Sequence, residues 1–313
     1  MQVFRTFEEL SKHSQKVCLA IGVFDGVHLG HQRVMGQARA DALAADGTAV
    51  VLTFDPHPMR VLQPDKAPLL LTSTDHKLAL IDKLGMNACL LLTFDKPFSL
   101  TPPEQFISAV ARQTNQLQEI CVGTRFRFGH KRAGDVRLME ALAPQYGFVA
   151  KEIKSVMLGE EMISSTAIRQ HVLLGQLDRA AAMLGRTFSI LGTVEPGDQR
   201  GRELGFPTAN LNPHNEILPP DGVYAVRVII GPEQFDGVVN IGVRPTFAGA
   251  EPLPVLEVHI LNFTRELHGQ NVEVLFISKL RDEQRFASVE ALKTQIASEI
   301  CEARKVLGRQ PDL

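Results

Sequence analysis

The first half of the chain alternates short apolar runs with segments of helical spacing. The apolar runs predict five strands, in residues 16–25, 48–58, 88–98, 119–129 and 147–157. Helical spacing and turn residues between them predict helices over 31–47, 74–86, 101–114 and near 134–146. Strands this apolar need cover on both faces, so the pattern predicts a Rossmann-like α/β domain with a parallel sheet. Ligands of such sheets bind at the carboxyl ends of the strands.

The pattern changes after a helical stretch at 164–185. From Thr187 onward, short alternating runs are separated by Gly, Pro and Asp turns, which is typical of a small antiparallel β-barrel. Residues 288–308 predict a closing helix. We therefore expect two domains, 1–185 and 186–313.

Composition and charge narrow the class of protein. Hydrophobic residues make up 44% and charged residues 22% of the 313 residues, and the net charge is −2, as in soluble globular proteins. The scattered charges argue against binding to nucleic acid, and no apolar run approaches the roughly 20 residues that span a membrane. The four cysteines are far apart and form no CxxC pair, which favours reduced thiols in a cytoplasmic protein. The oligomeric state stays open, and a homo-oligomer is compatible with the sequence.

The stretch GVFDGVHLGHQ, residues 22–32, follows the first predicted strand. A glycine-bearing turn that opens a helix offers backbone N–H groups and the positive end of the helix dipole to phosphate. His28 and His31, three residues apart, are able to face the same way. Zinc is the rival ligand, but no cysteine or third histidine stands nearby in sequence. A plain glycine turn with exposed histidines is the other alternative.

Three further segments carry candidate chemistry. Hydroxyls in ISSTAIR (163–169) are able to cap a helix and donate to phosphate, and Arg169 adds a permanent cation, although a simple N-cap is the alternative. FDPHP (54–58) is by its residues only a rigid strand-exit loop. GDQRGRELGFPTANL (197–211) combines glycines with arginines, and Thr208 and Asn210 lie two apart, so on a strand they offer oxygens to Mg²⁺ from one face. The alternative is a basic hairpin loop.

The first-half motifs resemble a known family. GVFDGVHLGH and ISSTAIR are similar to the two signatures of the HxGH nucleotidylyltransferase superfamily, and FDPHP with RFRFGHKRAGD (125–135) resembles its FMN adenylyltransferase module. The resemblance implies that His28, His31 and Arg169 are catalytic. It implies nucleotide binding by Gly22, Phe24, Asp25, Gly26, Gly30, Ser164, Ser165 and Thr166, and flavin binding by Phe54, Pro56, His57, Pro58, Phe126 and Phe128. Arg125 departs from the acidic or amide residue usual before FxFG, which puts a nucleotide or metal contact in doubt.

The second half resembles riboflavin kinases, through the 197–211 stretch, VVNIGVRPTF (238–247), VLEVHILNF (255–263) and LRDEQRFAS (280–288). The resemblance implies nucleotide binding by Gly197, Arg200, Gly201, Arg202, Gly205, Phe206 and Pro207, and metal binding by Thr208 and Asn210. By pattern alone Glu257 is a solvent-facing strand residue; the resemblance makes it the general base. Arg281 and Phe286 are the implied flavin contacts.

Together the motifs resemble the fused bifunctional bacterial riboflavin kinase/FMN adenylyltransferase over nearly the whole chain. The resemblance implies ATP as co-substrate, Mg²⁺ as cofactor, and riboflavin, FMN and FAD as further ligands. One alternative is a transferase of the same superfamily with another acceptor, which the PTAN half disfavours. The other is a non-catalytic flavin-binding regulator, which Arg125 alone suggests.

Overall fold

The chain folds into two compact units. The computed structural model describes residues 1–196, 205–244 and 253–308. One unit comprises Met1–Leu69 and Thr74–Ser165, and the other comprises Leu70–Ser73 and Thr166–Leu313.

The first unit contains a six-stranded sheet in which every neighbouring pair is parallel. Its strands are β1 (Gln2–Phe4), β2 (Val17–Ile21), β3 (Thr48–Asp55), β4 (Ala88–Thr93), β5 (Glu119–Gly123) and β6 (Val149–Ile153), in the order β1-β4-β3-β2-β5-β6. The chain winds from β2 outward through β3 and β4, then crosses to β5 on the other side of β2. This reversal places a topological switch point between the carboxyl ends of β2 and β5, where such sheets bind ligands.

Helices cover both faces of this sheet. They are α1 (Phe7–His13), α2 (Leu29–Ala44), α4 (Thr74–Lys83), α6 (Pro103–Gln113) and α7 (Val136–Tyr146), with the short α3 (Pro58–Leu62) and α5 (Lys96–Ser99) at strand exits. Alternate strand residues pack on opposite sides: Leu52 belongs to the core under α1, α6 and α7, and Val51 to the core under α2 and α4. The predicted parallel α/β architecture is confirmed.

All five predicted strands end earlier than the sequence pattern predicts, and the residues left out of the sheet include aromatic side chains. β3 stops at Asp55, β4 at Thr93 and β5 at Gly123, and aromatic segments follow each exit as loops or short helices. The Phe126 N–H donates to the Gly123 carbonyl at 2.8 Å, which closes a turn directly after β5. A short ribbon of β7 (Met157–Leu158) and β8 (Glu161–Met162) completes this unit.

The second unit is built on a closed antiparallel barrel. Two helices, α8 (Ser165–Leu173) and α9 (Leu177–Leu184), precede β9 (Ser189–Glu195), β10 (Ala209–Pro213), β11 (Gly222–Ile230), β12 (Glu233–Arg244), β13 (Leu253–Ile260) and β14 (Asn271–Arg281). The barrel order is β10-β13-β12-β11-β14-β9. The closing helix α10 (Val289–Leu307) buries Ala303 and Leu307 against outward apolar side chains of β11 and β12. The predicted barrel and closing helix are confirmed.

Candidate active sites

The turn between β2 and α2 has a strained backbone. Phe24 and Val27 have φ values of 55° and 43°, and Gly26 has 80°, all in the left-handed region. A Cβ at Gly22 would lie 2.7 Å from the Phe24 ring, so glycine is required there. Left-handed non-glycine residues persist where surrounding structure holds them, and they concentrate at functional sites.

The two histidines of this turn stand side by side at the start of α2. His28 is the N-cap, and its Nδ1 accepts a hydrogen bond from the His31 backbone N–H at 3.3 Å. The two rings stack with centroids 3.5 Å apart, and His31 meets the edge of Phe24 at 5.2 Å. Both imidazoles are therefore held at the positive end of a 16-residue helix, where an anion is stabilised.

The described residues give little support to the zinc alternative. Among them, the His, Cys, Asp and Glu side chains close enough to chelate one ion together are Asp41, Glu119 and Cys121, a group that includes neither histidine.

The second motif reaches the same turn. Ser165 begins α8, and its Oγ donates a hydrogen bond to the Asp25 carbonyl at 2.9 Å. Residues separated by about 140 positions therefore meet at the β2 exit. Ser164 directly precedes the helix, while Thr166 and Arg169 lie on it, Arg169 four residues after Ser165 and thus on the same helical face.

An aromatic cavity of about 710 Å³ opens beside the strand exits of the first unit. Of the residues expected to bind flavin, Phe54, His57, Pro58, Phe126 and Phe128 line it, whereas Pro56 is not among the lining side chains. The rings of Phe126 and Phe128 stack at 5.5 Å. His57 caps α3 through its Nδ1, which accepts the Met59 N–H at 3.2 Å. A planar ligand fits such walls, because aromatic rings prefer offset-stacked or edge contacts.

The rim of this cavity is strongly basic. Its cations are Lys96, Arg125, Arg127, Lys131 and Arg132, and none of the described lining residues is acidic. Arg127 is balanced by Asp135, 2.7 Å away. The Leu138 backbone N–H, and then Arg127, hold the pKa of that carboxyl below its usual value. Arg125 is exposed at the rim. Because the described lining residues carry cations and no carboxylate, the cavity suits an anionic ligand.

On the barrel, Asn210, Glu257 and Asn240 form one row across three strands. Glu257 on β13 is directly opposite Asn210 on β10 and Asn240 on β12, and opposite residues in antiparallel strands share a face. The Asn210 Oδ1 atom is buried and has no hydrogen-bond partner among the described residues. A buried amide oxygen of this kind is a ready ligand for a hard cation.

A second cavity, of about 730 Å³, lies beside the start of β10 and includes Pro207 and Thr208 in its lining. Gly205 has a φ of 89°, and the Phe206 ring meets the edge of His259 at 6.0 Å. Of the expected kinase residues, Gly197, Arg200, Gly201 and Arg202 lie outside the described residues.

The expected flavin contacts of the barrel lie together after β14. The Arg281 guanidinium stands 5.4 Å over the Phe286 ring, and its Nε donates to the buried Glu299 of α10 at 2.5 Å. Glu299 therefore orients the arginine side chain that stands over Phe286.

Comparison with known proteins identifies the family. The sequence profile of FAD synthetase matches residues 10–167, and that of riboflavin kinase matches residues 184–307. The bifunctional riboflavin kinase/FMN adenylyltransferase of Escherichia coli K12 is 38% identical over 310 residues, which cover 98% of each chain. The chain belongs to this family.

Two further relatives span the whole chain. The bifunctional riboflavin kinase/FMN adenylyltransferase of Haemophilus influenzae is 35% identical over 301 residues, 96% of this chain and 97% of its own. A crystal structure from Streptococcus pneumoniae, described as a macrolide-efflux protein, is 28% identical with a TM-score of 0.83 and covers 96% of this chain and 98% of its own. That name concerns the other protein; what the two share is the architecture of both halves.

No helix among the described residues is long and apolar enough to cross a membrane.

Sequence reasoning missed several lining residues of this bifunctional family member. Phe94, Phe98 and Phe106 complete the aromatic wall, and Lys96 joins the basic rim. The sequence does mark this wall: the tetrapeptide LTFD ends β3 at 52–55 and recurs at 92–95, across the end of β4. We interpret the repeat as coincidence between two buried strands, but it still marks two neighbouring exits of the sheet.

Proposed function

We propose that the N-terminal domain, residues 1–185, joins FMN to the AMP moiety of ATP, and that the barrel domain, residues 186–313, transfers the γ-phosphoryl group of ATP to riboflavin. Riboflavin, FMN, FAD and ATP are the substrates and products of the two activities that the family combines. The observation that carries the first assignment is the pair of stacked histidines at the start of α2, with Ser165 bound to their turn.

In the adenylyl transfer, a phosphate oxygen of FMN attacks the α-phosphorus of ATP. The new P–O bond gives FAD, and the bond to the β-phosphate breaks to release pyrophosphate. No protein nucleophile is needed, so catalysis rests on positioning and charge stabilisation. We assign charge stabilisation to His28, His31 and Arg169, and nucleotide binding to the turn from Gly22 to Gly30 together with 164–166. The dipole of α2 supports this assignment.

The aromatic cavity is the proposed flavin site of this unit. The isoalloxazine ring would lie between Phe54 and the Phe126–Phe128 pair, and the basic rim would attract the phosphate of FMN. Arg125 then adds attraction for the phosphate that distinguishes FMN from neutral riboflavin. The charge reversal noted in the sequence becomes useful under this assignment.

In the kinase unit, we assign the general base to Glu257, which would accept the proton of the riboflavin 5′-hydroxyl as that oxygen attacks the γ-phosphorus. The bond from the γ-phosphorus to the β,γ-bridging oxygen breaks, FMN forms and ADP leaves. Thr208 and Asn210 would hold Mg²⁺, and the unpartnered Asn210 Oδ1 fits an oxygen ligand. When bound, the ion neutralises charge on the transferring phosphoryl group. Asn240 flanks Glu257 and would help to orient it.

The test is an assay of both reactions with one protein. Incubation with riboflavin, Mg²⁺ and ATP should yield FMN and then FAD, separated by chromatography. His28→Ala should stop FAD formation, a loss on the order of 10²–10³ in rate, while FMN accumulates. Glu257→Gln should abolish FMN formation and keep adenylylation of supplied FMN. Equal loss of both reactions in a folded variant would show that the two activities do not divide between the units.

We further propose a domain boundary near residue 185 and a cytoplasmic location. The profile matches, which end at 167 and begin at 184, support the boundary. The four free cysteines, of which Cys18, Cys89 and Cys121 are buried, support a reducing compartment.

A further inference from the structure

Lys77 of α4 is a buried lysine with no role in the mechanism above. Only 6% of its surface is exposed. Its ammonium lies 3.2 Å from the Phe54 carbonyl, 3.4 Å from the Thr53 Oγ1 and 3.5 Å from the Val23 carbonyl. A lysine this buried is unusual, because an ammonium loses its hydration there.

The charges around Lys77 explain how it is tolerated. Burial lowers the pKa of the ammonium, and the carboxylates of Asp25 and Asp55 act against that effect. An ionised Cys89 would act in the same direction, but burial raises the pKa of that thiol to about 12, so it stays neutral. Two carboxylates therefore stabilise the cation electrostatically, while the atoms that accept its hydrogen bonds are neutral oxygens.

Its acceptors belong to the two segments that build the adenylyl-transfer site. Val23 is the second residue of the glycine turn, and Phe54 is the first residue of the FDPHP loop. The Thr53 Oγ1 also donates to the Val23 carbonyl at 3.0 Å, and the Thr74 Oγ1 at the start of α4 donates to Asp55 at 3.0 Å. α4 thus contacts the exits of β2 and β3 through the Lys77 ammonium and the Thr74 hydroxyl, and the Thr53 hydroxyl of β3 bonds directly to the β2 exit.

We propose that Lys77 is a positioning residue for adenylyl transfer, which fixes the glycine turn against the FDPHP loop and offsets Asp25 and Asp55 so that the triphosphate of ATP is able to bind. The inference rests on the proposed function of the first unit. Without the cation, Asp25 and Asp55 would lose one compensating charge beside a site for a polyanion, and like charges at such sites repel strongly because the dielectric is low.

A plain packing role makes a different prediction. If Lys77 only fills space between α4 and the sheet, methionine of similar length would replace it at little loss, as volume-conserving swaps usually do. The two roles therefore separate in Lys77→Met, which keeps the volume and removes the charge.

The experiment measures FAD formation from supplied FMN, with ATP varied, and riboflavin phosphorylation in the same preparation. Lys77→Met should raise the KM for ATP by about 10- to 100-fold and leave riboflavin phosphorylation unchanged. Lys77→Arg should recover part of the loss. Lys83→Met, on the exposed side of the same helix, is the matched control and should behave as the wild type.

A double variant isolates the charge. Asp55→Asn keeps an oxygen for Thr74 but removes one carboxylate, so Lys77→Met/Asp55→Asn should regain ATP affinity relative to Lys77→Met alone. The inference is overturned if Lys77→Met keeps the wild-type KM for ATP, or if both activities and the melting temperature fall together with no recovery in the double variant. A wild-type protein that makes no FAD would instead overturn the proposed function.

Discussion

Arg125 shows how one residue changes meaning between sequence and structure. In the motif, it reverses the charge of the residue usual before FxFG and casts doubt on a nucleotide or metal contact. In the structure, it stands on the rim of the aromatic cavity among other cations, with no acidic residue among the described lining side chains. Its neighbourhood attracts phosphate, whereas a metal ion would be repelled there.

The prediction for Arg125 concerns FMN. Arg125→Asp should raise the KM for FMN in adenylylation by about tenfold or more, because a charge-assisted contact to phosphate is lost and a repulsive one is added. Riboflavin phosphorylation should not change. Steady-state kinetics with FMN varied provide the measurement, and Arg137→Asp, an exposed α7 residue outside the cavity lining, is the control. An unchanged or lower KM for FMN would refute the rim assignment.

The candidate histidines could be placed from sequence because the signal is local. Glycines after an apolar run, followed by helical spacing, define a strand-turn-helix in which His28 and His31 must lie near the helix start. The bond between Ser165 and Asp25 has no local signal, because nothing in the intervening 139 residues fixes their approach. Only the family resemblance joined the two motifs.

At the scale of elements, apolar periodicity predicted the main strands and the covering helices. It missed β1, because a three-residue edge strand with Gln2 and Val3 exposed has no clear period. It also extended β3, β4 and β5 into FDPHP, FDKPF and FRFG. Phenylalanine favours strands, so the pattern could not show that these aromatics leave the sheet to line a cavity.

A charged cluster joins α2, β5 and β6. The Lys151 ammonium lies 2.9 Å from Asp41 and 2.6 Å from Glu119. Burial raises the pKa of Glu119 despite this cation. Burial acts in the same direction on Asp41, but hydrogen bonds from Lys151 and Gln37 outweigh it, so the pKa of Asp41 is lowered. One lysine thus balances two carboxyl groups.

Lys151→Met should therefore destabilise the protein in a pH-dependent way. Without the cation, the pKa values of both carboxyl groups rise relative to the wild type, so the folded variant binds more protons than the folded wild type. Its stability relative to the wild type must then rise as the pH falls. The melting temperature should lie below that of the wild type at pH 7, and the difference should shrink towards pH 5. Lys154→Met, at the exposed residue just after β6, is the control. A difference independent of pH would contradict this account.

At the scale of the whole molecule, two units with separate cores carry two reactions that share one compound. FMN is the product of the proposed kinase reaction and the substrate of the proposed adenylyl transfer. The sheet and the barrel each bury their own apolar side chains, so a substitution of one site residue should leave the other unit folded. The fold class of each half was predictable because strand-helix alternation and short alternating strands give different patterns.

This separation predicts complementation between single-site variants. His28→Ala should convert riboflavin only to FMN, and Glu257→Gln should leave riboflavin unchanged. An equimolar mixture should form FAD from riboflavin after a lag in which free FMN accumulates, because FMN released by one chain is able to diffuse to the other. Time courses separated by chromatography measure the lag and the final yield. If the mixture makes no FAD while Glu257→Gln still converts supplied FMN at the same concentration, FMN is not released, and the two units do not act as independent enzymes.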